Sequence, residues 1–366
     1  MYYTTLFVGM DVHKENFTVC CYDMIQDKIF YTQKLEPDYN QILKYLTFVR
    51  KAFRKDVDFV CGYEAGCLGF TLYHQLTQHG VSCVILAPTT MMKPAGKKKI
   101  KTDKRDAALI ARCLASNNFS PVHVPTTQDE EVKEFLRMRD DHRLALKKVK
   151  QQILAFCLRH GYSYTATKNH WLRSLKPEGL YSEILSEYLL TFQALSDKLE
   201  RLDQRIEELA AMKAYSEGVK KLSCFLGIKT HTALATMVEV GDFHRFASAN
   251  QFASYIGLVP GEDSSSESVN RLGITKAGNA HVRTLLVEAA QSDTKGQVGY
   301  KSAALKKRQA GNTSEVIAYA DRANERLRRK YYKMILSKSK RTNVAKTAVA
   351  RELACFIWGM MTDRIA

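Results

Sequence analysis

The chain has 366 residues, with 45% hydrophobic and 25% charged positions, an ordinary globular balance with length enough for two or three domains. Its 55 Lys and Arg against 38 Asp and Glu leave a net charge of +17, which favours polyanions and puts nucleic acid ahead of an anionic membrane surface. No apolar run is long enough to span a membrane, MYYTTLFVGMDV does not read as a secretory leader, and nine cysteines without CxxC pairs suggest reduced thiols in a cytosol rather than a disulfide or zinc framework.

Residues 4–35 hold three strand-like stretches, TLFVGMDV, NFTVCCYD and KIFYTQKL, rich in β-branched and aromatic residues and joined by short connections. The segment DYNQILKYLTFVRKAF then has helical spacing at Ile42, Tyr45, Leu46 and Val49. VDFVCGYE reads as a buried strand, LGFTLYHQLTQHG as a helix closed by Gly80, VSCVILAP as another buried strand, and DKRDAALIARCLASNN as a helix. The order β-β-β-α-β-α-β-α is that of an RNase H-like α/β fold, in which the first and fourth strands are neighbours.

Past Pro121 and Pro125, residues 128–160 predict one long charged helix with apolar positions at Val132, Phe135, Leu136, Leu144, Val149 and Ile153. Residues 161–180 read as irregular. Leu185, Leu189, Phe192, Leu195, Leu199, Leu202, Ile206 and Leu209 then form a heptad-like stripe, fitting either an antiparallel helical arm or a contact with another subunit. From about 216, short helices broken by Gly227 and Gly241 suggest a helix-hairpin-helix element. A serine-rich polar loop between apolar helices follows, and GITKAGNAHVRTLLVEAAQ reads as a helix. Residues 301–351 carry 15 Lys or Arg against three acids, with Tyr319, Tyr331 and Tyr332 interleaved.

Four acids stand where strands end or helices begin: Asp11, Glu64, Asp103 and Asp106. The last two are three residues apart, on one face of a helix. Convergent carboxylates repel one another unless a cation neutralises them, and hard oxygen donors suit Mg²⁺ or Mn²⁺. In so basic a chain they suggest metal-assisted phosphodiester chemistry, with two cations about 4 Å apart flanked by carboxylates. The run KPAGKKKIKTDKRDA (93–107) places Lys97, Lys98, Lys99, Lys101, Lys104 and Arg105 beside them to hold phosphates. The loop GLVPGEDSSSESVNRLGITKAGN (257–279) offers Ser264, Ser265 and Ser266, with Arg271, Lys276 and Arg283 nearby for phosphate. No His-Asp pair at a recognisable spacing would activate these hydroxyls. Arg328, Arg329 and Lys330 are further phosphate candidates in the basic tail. The residues alone leave three readings open: a strand-exchanging enzyme, a structure-specific nuclease that uses water, and a non-catalytic nucleic-acid binder.

GMDVHKE (9–15), the YEAG glutamate at 64, TDKRDA (102–107), GDFHRF (241–246), YIGLVP (255–260) and GITKAGNAHVRTLLVEAA (273–290) together resemble the DEDD transposases of insertion-sequence family one-ten. That family includes the Piv-type DNA invertases and the bridge-RNA-guided recombinases. The resemblance implies a RuvC-like domain over 1–125, a coiled-coil helical arm over 126–215 and a mostly helical C-terminal transposase domain over 216–366. It implies that Asp11, Glu64, Asp103 and Asp106 bind Mg²⁺ and that a serine attacks DNA to form a 5′-phosphoserine link. Counting from Pro260, that serine is Ser265; because this chain reads SSSE, with no glycine following, Ser264 and Ser266 stand as alternatives. The resemblance further implies donor and target DNA as partners, a structured bridge RNA, a homodimer or homotetramer whose site is shared between subunits, and a cytoplasmic, nucleoid-associated location.

Overall fold

Alternation decides how the first strand is used. The structure is a computed structural model that describes residues 4–53, 56–66, 68–88, 90–91, 102–162, 178–262 and 271–365. These form two compact units, one ending at Val124 and the other beginning at Pro125.

In the first unit, β1 (Thr4–Val12), β2 (Phe17–Asp23), β3 (Lys28–Leu35), β4 (Val57–Glu64) and β5 (Ser82–Leu86) form one sheet in the order β3-β2-β1-β4-β5. The β1–β2 and β2–β3 pairs are antiparallel, whereas β1–β4 and β4–β5 are parallel. The first and fourth strands are therefore neighbours, as the element order predicts. Leu6, Val8 and Met10 are fully buried on one face, in a core shared with Ile42, Tyr45, Leu46 and Val49 of α1 (Tyr39–Phe53) and with Leu72 and Leu76 of α2 (Thr71–Gln78). Successive strand residues point to opposite faces, so Phe7, Gly9 and Asp11 look the other way. That second face is covered by α3 (Asp103–Ser116). Gly9 is what lets the helix lie so close: a Cβ there would stand 2.0 Å from the Ala107 carbonyl oxygen and 2.5 Å from the Ala111 nitrogen.

The second unit begins with α4 (Thr127–Arg159) and α5 (Leu180–Ala210), which pack along each other. Their base is not a separate body. Val132, Leu136, Ile206 and Ala210 belong to the large core built by α6 (Ser216–Leu222), α7 (Thr230–Val240), α8 (Ala249–Tyr255), α9 (Ala280–Ala290), α11 (Ser314–Tyr332) and α12 (Thr342–Met361). The other end of the hairpin carries its own cluster around Ile153, Phe156, Cys157 and Leu185. A short helix, α10 (Ala303–Gln309), precedes α11.

Two expectations need correction here. The serine-rich loop is flanked by a two-stranded antiparallel pair, β6 (Pro260–Glu262) and β7 (Arg271–Ile274), rather than by helices directly. GITKAGNAHVRTLLVEAAQ is helical only from Ala280, where the Asn279 side chain accepts the Val282 N–H. Lys276 and Gly278 before it have φ of 55° and 79°, a left-handed turn that interrupts any helix. At Gly278 a Cβ would meet the Tyr255 carbonyl oxygen at 1.9 Å, so the turn must be glycine. Among the described residues no helix is long and apolar enough to cross a membrane.

Candidate metal centre and nucleic-acid contacts

Asp11 is the penultimate residue of β1, on the face covered by α3. The β1–β4 register runs from Thr4↔Val57 to Met10↔Tyr63, so one step further along Asp11 and Glu64 stand at adjoining strand ends. The first turn of α3 supplies Asp103 and Asp106, with Thr102 as the N-cap whose side chain accepts the Arg105 N–H. Acidic residues suit this end of a helix, where the peptide dipoles present partial positive charge.

Ligand atoms of Asp11, His13 and Asp103 all lie within 4.8 Å of one another. His13 Nε2 is 3.2 Å from Asp11 Oδ2, and the two side chains are 50% and 15% exposed. Burial pushes the Asp11 carboxyl above its ordinary range; His13 draws it back, and the neighbouring Asp106 and Asp103 charges add to the rise. The stress is one a cation relieves. Ligands about 2.1 Å from a shared ion stand at most about 4.2 Å apart, so this donor set fits a divalent ion after a small closure. Glu64, exposed at the end of β4, and Asp106 lie outside that group of three. His13 was not among the residues singled out from the sequence. The only signal was proximity in sequence: His13 follows Asp11 by two residues, just past the end of β1.

The remaining predicted residues divide. Lys97, Lys98, Lys99 and Lys101, and the loop with Ser264, Ser265 and Ser266, lie outside the described residues, as does the side chain of Arg271. Lys104 and Arg105 are exposed in the first turn of α3, Lys276 is exposed, and Arg329 is exposed with Glu325 3.0 Å away. Lys330 lies 2.6 Å from Glu352. Arg283 is half-buried and donates to the Ile256 carbonyl at 2.9 Å, tying α9 to the end of α8. Arg328 is a correction: it is 6% exposed, and its guanidinium donates to the carbonyls of Gln297 and Tyr300. It holds a loop rather than facing solvent.

A polar network joins α4 to α7 and α9 within the second unit. Glu239 is buried, accepts from Arg137 at 2.8 Å and from Asn279 at 2.9 Å, and has Lys133 3.6 Å away. Burial would raise its carboxyl, but Asn279, Lys133 and Arg137 together hold it below the usual range. Asp140 has His231 Nε2 at 3.2 Å, His281 Nε2 at 3.8 Å and Arg139 at 3.0 Å. Burial again works against ionisation, and His231 and Arg139 outweigh it, holding Asp140 at about 2.

Residues 8–160 match the IS110-type DEDD transposase family, and residues 219–305 match the family described as transposase IS116/IS110/IS902. The chain is 32% identical over 363 residues to a Sinorhizobium fredii protein provisionally named a transposase, covering 99% of this chain and 90% of that one. This chain belongs to the IS110 family of transposases. A Leptospira borgpetersenii transposase for an insertion sequence element is 30% identical over 344 residues, 89% of this chain and 95% of its own. The family also reaches a Moraxella bovis pilin gene-inverting protein, 27% identical over 194 residues, 51% of this chain and 52% of that one.

Proposed function

We propose that this protein is a DNA transposase and site-specific recombinase that breaks and rejoins strands at a divalent-metal centre in its first unit. The observation that carries the reading is the meeting of Asp11 on β1 with Asp103 on α3, ligand atoms within 4.8 Å, inside the segment matched by the DEDD family. The strand order β3-β2-β1-β4-β5 supports a RuvC-like reading of that unit. Relatives named for insertion sequence elements and for pilin gene inversion support both insertion and inversion as outcomes.

Asp11, Glu64, Asp103 and Asp106 would hold Mg²⁺ or Mn²⁺. When bound, the ion supplies Lewis-acid polarisation of the scissile phosphate. Ser265, with Ser264 and Ser266 as alternatives, would attack the phosphorus. One P–O bond then forms to the serine oxygen, the P–O3′ bond breaks, and a 3′-hydroxyl leaves. The 5′-phosphoserine link conserves the bond for rejoining. Lys97, Lys98, Lys99, Lys101, Lys104 and Arg105 beside the acids, with Arg271, Lys276, Arg283, Arg329 and Lys330 of the second unit, would hold phosphates. The family reading extends to a structured bridge RNA that reads sequence by pairing, and to a dimer or tetramer whose subunits share each site.

Recombination of a donor–target plasmid pair tests this. Asp11→Ala, Asp103→Ala and Ser265→Ala should each abolish it, and denaturing gels should show a protein–DNA adduct that Ser265→Ala removes. Activity retained by both Asp11→Ala and Ser265→Ala would sink the reading. Sequencing RNA that co-purifies with the protein tests guidance; recombination by RNA-free protein removes that part alone.

A further inference from the structure

We propose that His13 binds the catalytic cation directly through Nε2, making the site a mixed imidazole–carboxylate centre. The inference rests on the metal reading above and adds a ligand that the four-acid pattern does not contain.

The first support is distance. Two ligands at right angles, each about 2.1 Å from one ion, stand about 3.0 Å apart. His13 Nε2 and Asp11 Oδ2 are 3.2 Å apart, and Asp103 offers its oxygen within 4.8 Å of both. The second is backbone placement. The His13 N–H donates to the Asn16 carbonyl at 3.0 Å, closing the turn between β1 and β2 and fixing the His13 backbone two residues past Asp11. The third is in the same turn: the Asn16 side-chain oxygen is buried and has no hydrogen-bond partner among the described residues. An ion or its bound water at this turn would give such an acceptor something to pair with. His13 itself is 50% exposed, so its imidazole can turn toward an ion without disturbing a core.

The bound form has a definite proton arrangement. An imidazole nitrogen that ligates must present its lone pair, so Nε2 is bare and the proton sits on Nδ1. A nitrogen donor also alters metal choice. Mg²⁺ favours an all-oxygen shell, whereas imidazole suits transition metals, so His13 should tilt the site toward Mn²⁺.

The test uses the full chain loaded with Mn²⁺, read by electron spin-echo modulation and by metal titration. Wild type should show ¹⁴N coupling to the bound ion. His13→Ala should lose that coupling and about tenfold or more in Mn²⁺ affinity, with a smaller loss for Mg²⁺. His13→Gln, which can still hydrogen-bond Asp11, should lose the coupling equally. Bound Mn²⁺ without nitrogen coupling in wild type, or coupling that survives in His13→Ala, overturns the proposal and leaves the carboxylate site standing. Mn²⁺ affinity unchanged in Asp11→Asn would instead remove the metal reading, and this inference with it.

Discussion

Gly9→Ala should damage the metal centre without touching a ligand. The added Cβ would stand 2.0 Å from the Ala107 oxygen, 2.5 Å from the Ala111 nitrogen and 2.9 Å from the Ala111 Cβ. Two of these atoms are backbone and cannot rotate away. Real Cβ atoms essentially never approach within 3.0 Å, so α3 must retreat by at least about 1 Å or tilt. Overpacking of this kind costs about 1–3 kcal/mol, which moves a urea midpoint by about 1 M. Asp103 sits one helical turn before Ala107 and is carried with it. A ligand misplaced by about 1 Å costs about 100-fold in a positioned reaction. Urea unfolding and Mn²⁺ titration would be run beside Gly66→Ala, whose nearest atom, the Glu64 carbonyl oxygen, is 3.8 Å from the new Cβ. Gly66→Ala should match wild type. If Gly9→Ala also matches it in both midpoint and affinity, the close approach of α3 to β1 is not what sets the site.

Three further outcomes concern the second unit. Asp293 is buried with one oxygen unpartnered among the described residues, and burial pushes its carboxyl from 3.8 up to about 7 against the pull of Arg328. Its folded pKa is the higher one, so the stability it contributes is whole below about pH 4 and drains away as pH rises through about 7. Asp293→Asn should flatten stability across that window and gain on the order of 2–4 kcal/mol at pH 8 by denaturant titration; a wild-type slope refutes the assignment. Glu239→Ala removes the acceptor of Arg137 and Asn279, but the 44% exposed Arg137 can turn to water, so the loss should be about 1–3 kcal/mol in the same assay, and a loss under about 0.5 kcal/mol would show the network to be solvated. Arg328→Ala should lower the melting temperature by leaving two carbonyls unpaired. Arg329→Ala should stay within about 0.5 kcal/mol of wild type while reducing the salt slope of DNA binding by about one; the reverse pattern would return Arg328 to the interface.

The first unit was legible because each signal there is local. Leu6, Val8 and Met10 alternate with residues of the opposite face, and the four apolar positions of α1 fall a turn apart and are all buried. Asp11 and Asp103, which the structure brings together, were legible because one stands at the end of a strand and the other at the start of a helix. His13 carries no such mark in the sequence: a lone histidine just past a strand end does not announce a ligand, and only the fold sets it beside Asp103. The network around Glu239 could not be read at all, since Arg137 and Glu239 are 102 residues apart and only the packed fold brings them together. Strands of three and four residues, such as β6 and β7, fall below what propensity can mark. The basic run makes Arg328 a phosphate candidate because it discloses charge but not which way each side chain turns; Asn324 and Leu327, on the same side of α11, are buried with it.

The 33 residues of α4 run unbroken for about 50 Å at 1.5 Å per residue. Two separate apolar clusters grip this rod, one at each end. Its ends can therefore loosen independently: the far cluster, built from few side chains, should open to hydrogen exchange well before the near one.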